Sequence, residues 1–97
     1  MKDRIEARAA LHEFVADIAV QFDQLELLNA ADTRDGPCFQ ASRHVGAANI
    51  YAGCLFGRGF ADVTLGGQSH RFALQPNETA SIIRALKANG YLCEAHE

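Results

Sequence analysis

Three features of this sequence predict an α+β fold. Apolar residues recur at helical spacing near the N-terminus, glycines punctuate a middle stretch of short alternating segments, and a second helical segment is bracketed by Pro76 and Gly90. A chain of 97 residues is long enough for one hydrophobic core and too short for two. No Pro-, Gly- or Ser-rich stretch divides it, so residues 1–97 read as a single domain.

Residues 3 to about 29 form the first predicted element. Ala7, Leu11, Phe14, Val15, Ile18, Phe22 and Leu25 fall on one stripe of a long amphipathic helix uninterrupted by Gly or Pro. Ile5, Ala9, Val20 and Leu27 make a thinner stripe on the far side, which suggests a partner, with a homodimer through Val20 and Leu27 one form of it. Asp35-Gly36-Pro37 is a turn signal. Strands are expected near 38–44, 48–56, 60–65 and 69–74, with hairpin turns at Gly57-Arg58-Gly59 and Gly66-Gly67. Ala48 to Phe56 is apolar on both faces, as a central strand should be, while His70, Phe72 and Leu74 share one face of the last strand.

Pro76 fits the first position of the second helix, Glu78 suits its positive end, and Asn89-Gly90 stops it. Tyr91 is placed to pack back on Leu86, and residues 91–95 suit a short edge strand. The expected architecture is therefore a long N-terminal helix, a three- to four-stranded antiparallel meander, and a second helix on the same sheet face.

The formal net charge is −3, with four His counted neutral. Phosphate neutralisation needs Lys and Arg, so this balance makes direct nucleic-acid binding the less favoured reading. Acids spread through the first twenty residues argue against a signal peptide, and no run approaches the roughly 20 apolar residues of a membrane span. Three cysteines, Cys38, Cys54 and Cys93, do not make a disulfide framework. A cytoplasmic location with reduced thiols is expected.

The sequence offers no nucleophile elbow, phosphate-binding loop or His-Glu-x-x-His pair, so a non-enzyme without cofactor is expected. Gly57-Arg58-Gly59 opens like a dinucleotide fingerprint, but Asp62 stands where the third Gly belongs. Cys38, His44, Cys93 and His96 could supply four zinc ligands; their spacing does not make two close-set pairs, and no metal site is expected. Cys54 reads as a small buried hydrophobe and His12 as a helix-flank residue.

Two candidate surfaces remain. Arg43, Arg58 and Arg71 could line a cationic sheet face, with Tyr51 or Phe60 as a stacking platform for single-stranded nucleic acid. Residues 1–35 hold eight acids against four bases, and Glu6, Glu13, Asp17 and Gln24 fall on one line of the expected long helix. A rigid row of carboxylates can engage a Lys- and Arg-lined groove of a protein complex, including one built for nucleic acid.

In size, charge and lack of motifs the chain resembles small phage- or plasmid-encoded inhibitors of bacterial defence, such as anti-CRISPR proteins. That resemblance rests on format and assigns no residue. It implies a non-enzymatic protein-binding module that blocks a host complex. The alternatives are a nucleic-acid-binding sheet face and a zinc-stabilised domain.

Overall fold

The structure, a computed structural model, describes residues 2–92. Helix α1 (Lys2–Asp17) leads through a 3₁₀ turn at Phe22–Gln24 into five strands, and helix α2 (Pro76–Ala88) follows them. The strands are β1 (Glu26–Thr33), β2 (Gly36–Val45), β3 (Ala48–Leu55), β4 (Arg58–Leu65) and β5 (Gln68–Ala73). They form one antiparallel sheet in the order β1-β2-β3-β4-β5, so every strand pairs with its neighbour in sequence.

The α+β class and the antiparallel meander agree with the sequence reading, but the first helix is shorter and the sheet has one more strand. At 1.5 Å per residue, α1 is about 24 Å long rather than about 40 Å. Ala7, Leu11 and Phe14 are its buried stripe, and Ile18, just past its end, is buried with them. After Asp17 the carbonyl accepts from the N–H groups of both Val20 and Gln21, closing the last turn.

Glu26 to Leu28, expected to continue the helix, instead begin the edge strand β1. The reason the two periods are confused lies in a β-bulge between Leu27 and Asn29. Leu27 pairs with Ala41 and Ala30 with Phe39, so residues three apart share the core face. Three is the helical interval; a regular strand would have shown two. Of the second apolar stripe expected on the helix, Ile5 and Ala9 remain exposed on α1, but the other two members leave it. Val20 is an exposed turn residue, and Leu27 packs against the core from β1.

One sheet face carries Phe39, Ala41, Ile50, Ala52, Ala61, Val63 and Phe72, and these close against α1 and against Ile82 and Leu86 of α2 in one core. Helix α1 lies across β2, β3 and β4, and α2 touches α1 and β4. Pro76 takes the first helical position, and a capping box joins Gln75 to Glu78. Gly90, at φ +82°, ends α2, where the Tyr91 N–H donates to the Leu86 carbonyl at 2.9 Å. The Tyr91 ring also lies against Phe22, tilted, with centroids 5.4 Å apart. Tyr91 and Leu92 form a bend, and the remainder of the expected edge strand lies outside the described residues. No helix among the described residues is long and apolar enough to cross a membrane.

Candidate functional site

The β3–β4 hairpin turns on Phe56 and Gly57, with Leu55 and Arg58 as the closing pair. Arg58 and Gly59, expected in the turn, are instead the first residues of β4. Phe56 has φ +53° and Gly57 φ +81°. Positive φ at both central residues is the geometry that matches strand twist, and Asn, Asp or Gly normally fills the first position. The next hairpin does so with Gly66-Gly67, at φ +60° and +79°. Phe56 is the one non-glycine residue with positive φ among those described, and it is 57% exposed, as is Leu55. A Cβ in the left-handed region crowds the following carbonyl at a cost of about 1 kcal/mol. The turn does not ask for this aromatic, and the core does not use it.

Beside this tip, Gly57, Leu74, Pro76, Ala80 and Ile83 border an apolar hollow of about 490 Å³ between the hairpin and α2. Arg58 stands on its rim, exposed.

The sheet face away from the helices carries Tyr51, Phe60, Asp62 and Arg71. Arg71 donates through Nε to Asp62 Oδ1 at 2.7 Å and through Nη2 to Oδ2 at 2.9 Å. That bidentate bond, with the arginine's charge beside it, holds the Asp62 carboxyl below the usual carboxylate range. The guanidinium also sits 5.0 Å from the Phe60 centroid, and Tyr51 lies 6.1 Å from the same ring. Phe60 covers Gly53, where a Cβ would come within 2.8 Å of the ring.

The expected three-arginine patch does not form. Arg43 pairs with Ile50 and lies on the core face, 93% buried, its guanidinium 5.3 Å from the Phe14 centroid beneath α1. The signal for this was in the sequence: Phe39, Ala41, Arg43 and Val45 alternate on one face, and the first two are core residues. Arg71 does lie on the open face with Phe60 and Tyr51, but its charge is met by Asp62.

Glu6 and Glu13 are exposed on α1 and Asp17 is half-buried. At 3.6 residues per turn they form one line, roughly 110° round from the buried stripe. Gln24 is not on that line, because the helix has ended and Gln24 belongs to the 3₁₀ turn. A groove of about 610 Å³ separates α1 from α2, bordered by Arg8, His12, Glu78, Ser81 and Arg84. At its end, Arg8 donates through Nη2 to Glu78 Oε1 at 3.1 Å, and the same oxygen accepts the Gln75 N–H at 2.8 Å. This pair fastens the two helices. Arg8 Nη1 and Glu78 Oε2 are shut away from solvent and find no hydrogen-bond partner among the described residues.

The zinc quartet is not assembled by the described residues. Cys38 and His44 stand on one strand six residues apart, about 20 Å at strand rise, too far to share an ion. Cys93 and His96 lie outside the described residues. No group of three His, Cys, Asp or Glu among the described residues is placed to hold a metal. Burial pushes the Cys54 thiol up from its ordinary value, and it donates to the Pro37 carbonyl at 3.5 Å. Cys54 is opposite Phe39, so Cys38, one residue along, faces the other side of the sheet.

Compared with known proteins, the chain matches no family model, and no curated protein or solved structure is significantly similar to it.

Proposed function

We propose that this chain is a non-enzymatic protein-binding module that acts by occupying another macromolecule's surface, with the tip of the β3–β4 hairpin as the inserted part. The observation that carries this reading is Phe56, a large exposed aromatic held in a backbone conformation that its own turn would fill better with Asn or Gly. Strain kept at an exposed position is accounted for when the side chain does work there, and buried aromatics are the usual anchors of protein interfaces. Leu55 and the apolar hollow extend the contact, and Arg58 borders it. Glu6, Glu13 and Asp17 add a row of negative charge that steers the chain toward a basic surface. The narrower form of the reading is a phage- or mobile-element-encoded inhibitor that blocks a nucleic-acid-processing or defence complex, anti-CRISPR-like in manner. Its support is that acidic row together with the small acidic format.

The test is a pull-down from cell lysate with the wild-type chain, Phe56→Asn and Glu13→Lys/Asp17→Lys. Phe56→Asn should melt at a higher temperature, since it relieves about 1 kcal/mol of strain. It should also lose the partner, an anchor of this kind contributing about 2 kcal/mol, or roughly thirtyfold in affinity. The charge reversal should weaken capture most at low salt while leaving the melting temperature nearly unchanged. Equal capture by Phe56→Asn would remove the tip from consideration. Turnover of a small molecule, abolished by changing one Cys or His, would overturn the non-enzymatic reading.

A further inference from the structure

The two outer strands of the sheet are finished differently. Gly66-Gly67 joins β4 to β5 as a two-residue turn, so Leu65 and Gln68 form a hydrogen-bonded pair and the alternation makes Asp62 and Arg71 a non-hydrogen-bonded one. The N–H and C=O of Arg71 therefore point off the free edge of β5. That carbonyl is taken: Arg4 of α1 reaches across and donates to it at 3.2 Å.

The same reasoning places the outward groups of β1. Asp32 stands opposite Pro37, which has no N–H to give, so this cannot be a hydrogen-bonded pair. The backbone groups of Asp32, and by alternation those of Ala30, point away from the sheet. Among the described residues no hydrogen bond caps them. The residues around them, Asn29 to Thr33, are small and lie beyond the bulge, in regular register.

Charge distinguishes this edge as well. Residues 21–35 carry Asp23, Glu26, Asp32 and Asp35 against Arg34 alone, a surplus of three negative charges equal to the whole chain's −3. A second copy laid on β1 would bring an edge with the same surplus of three negative charges against it, like charges facing like. The chain's own residues 93–97 contain two acids and no Lys or Arg, and match the edge no better.

We propose that the free edge of β1 is a strand-docking site for an extended segment of a partner protein that is rich in Lys or Arg. Main-chain hydrogen bonds to Ala30 and Asp32 supply the register, and attraction to Glu26 on one face of the sheet and Asp32 on the other supplies the choice of partner. The inference rests on the reading of the chain as a protein-binding module and names the chemistry of what it binds. The two surfaces adjoin, since Gly36 at the start of β2 lies against Gly57 of the hairpin tip.

The test uses two capped heptapeptides, one alternating Lys with Val and one alternating Glu with Val, and reads amide hydrogen exchange in the full chain. At about ten times its Kd the Lys peptide should slow exchange roughly tenfold at Ala30 and Asp32, while the Glu peptide leaves both unchanged. Glu26→Lys/Asp32→Lys, which alters two exposed side chains, should abolish the protection. Ala30→Pro, which removes an outward N–H, should do the same if it folds. No protection at β1, equal protection by the Glu peptide, or protection confined to β5 or to the open sheet face would overturn the proposal. Phe56→Asn separates the two readings. It should lose the partner in the pull-down yet still show peptide protection at β1.

Discussion

Asp62 shows how much a single residue's role depends on its neighbour across the sheet. Its carboxyl titrates low chiefly because Arg71 hydrogen-bonds both oxygens, with the arginine's charge assisting. A carboxyl whose folded pKa lies below its unfolded value, about 3.9, adds stability above that value and gives it up as pH falls through the lower, folded one. Urea midpoints measured between pH 2 and 6 should therefore fall toward the acid end more steeply for the wild type than for Asp62→Asn, and matching slopes would show that the bond contributes nothing. At this scale the sequence was partly legible. Arg71, Phe60 and Tyr51 could be assigned to one face by alternation, but the carboxylate that neutralises Arg71 follows only from the register of β4 on β5. Arg43 was misplaced because its charge outweighed its position: the alternation of Phe39 and Ala41 already pointed it inward.

Elements whose periodicity is regular were the ones the sequence disclosed. Strands β2 to β5 and helix α2 fall within a few residues of the positions their alternation, glycines and caps suggest. The failure at β1 has a local cause, since one extra residue at the bulge converts a strand's interval of two into a helix's interval of three. The packing of α2 on β4 was not legible, because it depends on a missing side chain. A Cβ at Gly59 would meet Thr79 Oγ1 at 2.5 Å and Leu74 Cβ at 3.0 Å. Gly59→Ala should therefore push the first turn of α2 off the strand and cost about 1–3 kcal/mol, read as a lowered urea midpoint. An unchanged midpoint would mean that α2 shifts freely on the sheet.

Across the whole molecule, charge and edges have a direction that no single segment reveals. Negative charge gathers around β1, and the opposite edge is closed by an arginine from α1. The sum of −3 was visible in the sequence; its placement on one border of the sheet needed the strand order. That order also bears on how the chain finds its structure. Each β-hairpin can zip from its own two-residue turn without waiting for a distant segment, and loop-closure entropy is small for such turns. Only the closing of α1 over the sheet and against α2 joins widely separated parts of the chain. Folding should accordingly be a single fast phase, on the order of milliseconds, in stopped-flow refolding, and a dominant phase of seconds would contradict it. A meander with its spatial neighbours written in sequence order spends little time half-built, so the border along its first strand, uncapped among the described residues, is shown to the surroundings almost entirely by the finished protein.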